Sequence, residues 1–314
     1  MRSRDLGAFG RGSRTCGSGY PELKKEGTYM KKLQSRGAAK YIFFLPGICF
    51  FAFAVLIPLA MGIHIAFTDW NGITKDYHFV GMENFITMFR DKRILLPVRN
   101  TLVFALLGTV GNNVISLGLA MLVNQKTGRL GDAAKTIFFI PVCFSAVLTA
   151  FLWGFIYREV FTQIFGIKNI LGNKDLVILG ITVMGLWNTC GINMLIYLAG
   201  LKNIPLDLYE AATMDGAGAG QKFRNITLPL LTPSFTVCVT LTLTSWLREF
   251  AMTLSSTGGG PAGSSRTISI YIFENLYKYN KAGYGQAVSL VFVIFLIVLG
   301  SAVSSFFRRR EVEI

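Results

Sequence analysis

The sequence predicts an all-α integral membrane protein with six transmembrane helices. Composition, the length of its apolar blocks and the placement of its basic residues lead there. Of its 314 residues, 52% are hydrophobic and 15% charged, whereas a soluble domain carries roughly a quarter charged residues. Six apolar blocks reach the about 20 residues that a helix needs to cross a bilayer core of roughly 30 Å. Alternating strands of about ten residues, the pattern of an outer-membrane barrel, do not occur.

The blocks run over about 42–67, 101–123, 137–157, 176–200, 234–254 and 287–307. Each is nearly free of charge and can satisfy its backbone hydrogen bonds internally as a helix, which lipid demands. With the N-terminus inside, segments 1–41, 124–136, 201–233 and 308–314 hold nineteen Lys and Arg. The opposite loops, 68–97, 158–175 and 255–286, hold ten. Much of that margin lies in the N-terminal tail. Lys31, Lys32, Arg36 and Lys40, just before the first block, favour an inside N-terminus. Both termini are then expected in the cytoplasm, with Arg308, Arg309 and Arg310 anchoring the C-terminus.

Residues 1–29 read as a disordered polar tail, rich in Gly, Ser and Arg. Met30 reads as a natural translation start, leaving 30–314 as one six-helix transmembrane domain. A cleaved signal peptide is disfavoured, because the first block is about 26 residues, longer than a signal core. The net charge of +14 would suggest nucleic acid in a soluble protein. Here the basic residues gather between apolar blocks, so no nucleic-acid partner is expected. Cys16, Cys49, Cys143, Cys190 and Cys238 are scattered and odd in number, which argues against a disulfide framework or a metal site. No metal and no cofactor are expected. Among the exterior loops, 83–89 has apolar residues at helical spacing and suits the membrane surface. Thr257-Gly258-Gly259-Gly260-Pro261 reads as a flexible turn.

The most informative segment is 201–233, between the fourth and fifth blocks. Pro205 and Asp207 are helix-start residues, and Glu210 to Met214 favours a helix. Gly216 permits a sharp reversal in a left-handed backbone conformation. A second helix is expected to follow and to close at Pro229. Two short helices at an angle form a compact projection suited to a socket on another protein. Gly216 to Lys222 lacks the order of a phosphate-binding loop, and no strand precedes it.

This segment resembles the EAA motif of ABC importer permeases: Glu-Ala-Ala, three residues, Gly, nine residues, then Ile-x-Leu-Pro. Glu210, Ala211, Ala212, Gly216, Ile226, Leu228 and Pro229 take those places, and Asp215, Ala217 and Thr227 match the form in carbohydrate permeases. Phe67-Thr68-Asp69-Trp70, Phe79 to Phe85 and Thr257 to Pro261 also resemble sugar-permease landmarks. The combination is similar to the MalF/UgpA-like transmembrane subunit of the binding-protein-dependent carbohydrate family. It departs where an aromatic near Gly220 is missing and where Ala251, after Phe250, replaces a frequent Asp.

The resemblance implies the type I ABC importer permease fold, in a bacterial cytoplasmic membrane. It implies that the 201–233 loop is a cytoplasmic coupling helix-turn-helix, docked in a groove of an ATP-binding subunit. Glu210 would anchor the docked helix through hydrogen bonds or a basic partner. Ala211 and Ala212 would allow close approach, Gly216 would set the angle between the helices, and Asp215 would join them in coupling to the ATP-binding subunit. Implied partners are a homologous second permease subunit, a dimer of ATP-binding subunits and an extracytoplasmic solute-binding protein delivering a sugar or oligosaccharide. The chain itself would not be an enzyme, since ATP hydrolysis would occur on a separate subunit.

Arg248 and Glu249 fall deep in the fifth block, where an ionisable residue is a functional candidate. As neighbours on a helix they point about 100° apart, so each needs its own partner. A place on the substrate path and a structural ion pair both stay open. Trp187, Asn188 and Trp246 join them as substrate-path candidates, since a sugar site combines an aromatic platform with amide hydrogen bonds. Asn112, Asn113 and Asn193 read as glue between helices, a reading open for Asn188 too. His64 and His78 are isolated, and no catalytic constellation emerges. An ion-coupled secondary transporter, with Glu249 as its candidate carboxylate, and an integral-membrane enzyme are the alternatives.

Overall fold

The computed structural model describes residues 44–125, 128–166 and 169–309. The expected tail 1–29, the start at Met30, the basic run 31–40, Cys16 and Arg310 lie outside them. The helices are α1 (Phe44–Ala66), α2 (Glu83–Arg90), α3 (Lys92–Asn124), α4 (Arg129–Cys143), α5 (Ala146–Ile164) and α6 (Val177–Lys202). They continue as α7 (Leu206–Met214), α8 (Ala219–Leu230), α9 (Thr232–Leu247), α10 (Ala251–Thr257), α11 (Ile268–Phe273) and α12 (Ala282–Arg308). Among the described residues there is no strand, only an isolated bridge between Thr68 and Phe79.

Helices α1, α3, α6 and α12 are long and apolar enough to cross a membrane singly. Two bent pairs, α4 with α5 and α8 with α9, bring the number of crossings to six when each is taken as one.

The chain divides into two units at Ala60 and Met61. In the first, residues 44–60 are exposed apart from half-buried Ala52. Its π-type stretch Ala52–Leu56 ends just before Pro58. A proline lacks the N–H that would continue the ordinary ladder, and a wider turn absorbs the mismatch.

In the second unit α3 and α6 run parallel and share a polar seam. Asn112 Nδ2 donates to Thr189 Oγ1 (2.7 Å), Ser116 Oγ to the Cys190 carbonyl (2.9 Å) and Tyr197 OH to Asn113 Oδ1 (2.6 Å). Asn193 Nδ2 reaches Asn112 Oδ1, and Asn113 Nδ2 reaches Thr242 Oγ1 on α9. These asparagines are glue. Such bonds contribute on average about 0.6 kcal/mol in a membrane, so close packing carries most of the association. Apolar clusters flank the seam, one around Phe104, Ile181, Met184 and Leu247, the other around Val123, Leu198, Leu201, Ile204 and Leu231.

Two apolar blocks are not continuous helices. The third bends by 101° between α4 and α5. Pro141 sits in a 3₁₀ turn, Phe144 is extended, and the Ser145 hydroxyl accepts the Leu148 N–H to start α5. At Gly191 of α6 an added methyl would overlap the Phe138 carbonyl, so only glycine admits this backbone. The fifth block likewise does not run through 254. Helix α9 stops at Leu247, residues 248–250 leave the helix, and α10 begins at Ala251. Arg248 and Glu249 therefore lie at a helix break, not inside a helix. The second span starts at Lys92 rather than 101, because Pro97 lies near the helix start, where a missing N–H is tolerated. The sixth starts at Ala282, five residues before the expected 287.

The loops at the α3 and α12 N-termini are tied together. Asn84 Nδ2 donates to the Ala66 and Thr68 carbonyls, and Gly283 N–H donates to the Trp70 carbonyl. Asp91 accepts from Arg93 and from the hydroxyls of Tyr271 and Tyr284. The Arg93 hydrogen bonds, foremost, hold its carboxyl at about 2. The 257–261 turn is not a free linker. Thr257 and Ser265 hydroxyls pair at 2.9 Å, Ser265 Oγ donates to the Gly260 carbonyl, and Asn100 of α3 holds the Gly263 and Arg266 carbonyls.

Candidate functional site

Two places concentrate the expected functional residues: the 201–233 loop and a cavity inside the helices. In the loop, Ile204 is buried under the α3 and α6 C-termini, and Pro205 starts α7. The end of α7 follows from one residue. Gly216 has φ +77°, its N–H donates to the Thr213 carbonyl (3.0 Å), and the Ala217 N–H donates to the Ala212 carbonyl (2.8 Å). This paired closure is a Schellman motif, which calls for glycine at the left-handed position. Asp215 is the preceding cap residue.

The two arms are clamped across the turn. Lys222 Nζ donates to Thr213 Oγ1 at 2.7 Å, and the Tyr209 and Thr227 hydroxyls lie 2.8 Å apart. Gln221 Oε1 accepts the Gly218 N–H and starts α8. Helix α8 continues through Pro229 to Leu230, one residue beyond the expected end, and bends 68° into α9 at buried Leu231. Tyr209 and Ala212 face inward and are half-buried. Leu206, Glu210 and Met214, four residues apart, form an exposed stripe, with Met214 89% exposed. Glu210 has no ion pair among the described residues.

The second place is a cavity of about 330 Å³ between α6, α9 and α10, lined by Asn188, Thr189, Ser245, Trp246 and Glu249 among others. Glu249 Oε1 accepts the N–H groups of Met252 and Thr253 at 3.0 and 3.1 Å and so caps α10. Asn188 Nδ2 donates to the Pro141 and Phe144 carbonyls, at 2.8 and 3.1 Å, across the bend between α4 and α5. Trp246 is buried between α3 and α6, where a methyl on Gly108 or Gly185 would overlap its indole.

The cavity gathers three of the five substrate-path candidates and leaves out two. Arg248 is exposed on the other side of the break, its Nε donating to the Thr244 carbonyl, in a groove with Ser301, Ser304 and Ser305 of α12. Trp187 turns into an aromatic cluster, its ring 5.9 Å from both Phe144 and Trp153. Arg248 and Glu249 do not pair with each other.

A family model described as "Binding-protein-dependent transport system inner membrane component" matches residues 112–311. The chain belongs to this family. It is thus the membrane permease subunit of an ABC importer that works with a binding protein, and ATP hydrolysis resides in a separate subunit. The permease is 32% identical over 288 residues to the "Probable starch degradation products transport system permease protein AmyD" of Thermoanaerobacterium thermosulfurigenes, covering 90% of this chain and 98% of the relative. It is 30% identical over 273 residues to the "Trehalose/maltose transport system permease protein MalF" of Thermococcus litoralis, covering 82% and 89%. Its fold is similar to a chain in a crystal structure of a bacterial ABC transporter that imports the acidic polysaccharide alginate. The TM-score is 0.77 at 22% identity, over 90% of this chain and 99% of that one.

Sequence reasoning missed several residues of the permease. The clamp residues Thr213, Lys222, Tyr209 and Thr227 carry no spacing signal, because they meet only once the loop reverses. Gly108 and Gly185 lie inside apolar blocks, where nothing local sets them apart. The signal for their role is the large indole of Trp246, which needs two small neighbours somewhere.

Proposed function

We propose that this permease imports a sugar or oligosaccharide and couples that import to ATP through the 201–233 loop. The observation that carries the coupling is the clamped helix pair with its exposed Leu206, Glu210 and Met214 stripe. A rigid projection with an unpartnered acidic and apolar face suits a groove on an ATP-binding subunit. Glu210 would meet a donor there, Ala211 would lie at the contact, and Ala212, Asp215 and Gly216 would keep the helix end in shape. The joined arms would pass a push on α7 to Leu231 and α9, which borders the cavity. ATP must bind one state of the assembly better than the other for this to do work.

The sugar reading is supported by the relatives, whose names refer to starch degradation products and to trehalose and maltose. The cavity chemistry agrees: amide, hydroxyl, carboxylate and indole groups converge in about 330 Å³. Asn188, Trp246 and Glu249 are the substrate-path residues favoured, while Arg248 and Trp187 lie elsewhere. A homologous second permease, an ATP-binding subunit dimer and an extracytoplasmic solute-binding protein complete the importer. The lipid bilayer would be a bacterial cytoplasmic membrane, with both termini in the cytoplasm.

The test is uptake of labelled maltooligosaccharide by vesicles holding the assembled transporter and its loaded binding protein. Uptake should require ATP and persist when ion gradients are collapsed. Uptake that follows an ion gradient without ATP refutes the coupling. ATP-dependent uptake of a non-sugar alone refutes the substrate class.

A further inference from the structure

A second cavity, of about 440 Å³, lies far from the 201–233 loop, between α2, α11 and the N-terminal halves of α3 and α12. Its walls are almost wholly apolar: Leu95, Val98 and Leu102 of α3 face Val288, Phe292 and Phe295 of α12. Along α3 it reaches from Lys92, the first residue of the span, to Leu102, a depth of roughly 15 Å at 1.5 Å per residue. Its volume falls within the roughly 300–1,000 Å³ of small-molecule sites.

The mouth has a different chemistry. Arg90 and Lys92 line it, both exposed and neither in an ion pair among the described residues. The acid beside them, Asp91, is already bonded to Arg93, Tyr271 and Tyr284. Helix α2, which carries Arg90, buries Phe85 and Met88 but exposes Ile86 and Phe89. A helix with an exposed apolar edge and a cation at its end is built for the water–lipid boundary. Leu95, Leu102 and Phe295 are also exposed, so the cavity opens sideways along the span.

We propose that this cavity is a binding site for a phospholipid, with an acyl chain between α3 and α12 and the phosphate on Arg90 and Lys92. An apolar slot begins at the polar end of a span, and two free cations stand at its entrance. A phosphate-bearing amphiphile satisfies both. A wholly apolar occupant would leave the cations unused, and free phosphate would leave the slot unfilled.

The test uses the assembled transporter in vesicles of phosphatidylglycerol and phosphatidylethanolamine with a trace of photoreactive phosphatidylglycerol, diazirine on the acyl chain. Cross-linked peptides are quantified by mass spectrometry, with 44–56 of α1 as a reference for general lipid contact. Labelling should concentrate in 94–102 and 288–295 and be lost in Leu102→Trp, which fills the slot. Arg90→Gln and Lys92→Gln should each lower it about fivefold, since a basic residue at the surface contributes about that factor. The matching photoreactive diacylglycerol, with no phosphate, should label as weakly as phosphatidylglycerol does in the double Gln variant. Excess inorganic phosphate should leave labelling unchanged. Cavity labelling no higher than along α1, or equal labelling by the diacylglycerol, overturns the proposal. A cavity that cross-links to another subunit instead of lipid overturns it too.

Discussion

The hydroxyl of Tyr209 lies 2.8 Å from that of Thr227, joining the first helix of the 201–233 loop to the second. Thr227 also reaches the Lys222 carbonyl, at 3.4 Å. Tyr209→Phe therefore removes one tie without stranding a buried hydroxyl, and should cost about 0.5–1 kcal/mol, the low side of a net hydrogen bond. The looser loop should raise the number of ATP molecules hydrolysed per sugar imported. That ratio, measured in vesicles, decides whether the arms must move as one.

Gly216 separates backbone conformation from contact. Nothing lies within 4 Å of a methyl added there, so Gly216→Ala is limited only by φ +77°. The left-handed conformation costs a residue with a side chain roughly 1–2 kcal/mol. Gly216→Pro cannot reach it, since its φ is held near −65°, and it loses the N–H bound to the Thr213 carbonyl. The Pro variant should fold in the membrane yet fail to co-purify with the ATP-binding subunit, and substrate-stimulated ATP hydrolysis should vanish. The Ala variant should be intermediate. Normal assembly and uptake in the Pro variant would remove the loop as the coupling element.

Trp246 depends on the two glycines that flank it. Gly185→Ala overlaps the indole, and overpacking of this kind costs typically 1–3 kcal/mol. Adding Trp246→Phe should return part of the loss, because the two changes share one space. Thermal unfolding of the single and double variants measures this. Additive losses would show that the indole can move aside.

Much of this arrangement can be read from the chain, and the remainder has a common cause. Hydropathy reports transfer into lipid, which is the same for a straight helix and a bent one. It therefore located α6 well and hid the breaks at 144–145 and 248–250. The break at 248–250 contains neither Gly nor Pro, the one at 144–145 has only Pro141 before it, and both are held by hydrogen bonds. Asn188 binds carbonyls more than forty positions away, which no local pattern encodes. Glu249 was conspicuous as a charge in an apolar block, but its cap on α10 becomes visible only once the break is known. Gly216 was legible because the end of α7 is a local event, closed by bonds within six residues.

Asp91 should give the loops at the α3 and α12 N-termini a dependence on acid. Its carboxyl is lowered from 3.8 to about 2, first by hydrogen bonds from Arg93 and then by the Tyr271 hydroxyl. Below about 4 the unfolded chain takes up a proton that the folded chain still refuses. Stability is therefore complete above that pH and falls as pH drops from about 4 towards 2. Arg93 is largely exposed, so the loss should be no more than about 1 kcal/mol. Asp91→Asn should be less stable at neutral pH and should lose this share of the acid dependence in thermal unfolding. An unchanged slope between pH 4 and 2 would mean that other carboxylates set it.

Glu249 has two separable tasks. Its Oε1 caps α10 through Met252 and Thr253, and the side chain also borders the cavity. Glu249→Gln keeps an oxygen able to accept both N–H groups while replacing the carboxyl group. Glu249→Ala removes both, and loss of a cap costs about 0.5–2 kcal/mol. If the carboxylate lies on the substrate path, the Gln variant should unfold close to the parent temperature but take up sugar more slowly. A charged oxygen is a stronger acceptor of sugar hydroxyls than an amide oxygen. The Ala variant should lose stability and uptake together. Loaded binding protein should still stimulate ATP hydrolysis in the Gln variant, because the loop at 201–233 is untouched. A Gln variant with parental uptake of every sugar tested, beside an unstable Ala variant, would leave Glu249 as a helix cap alone.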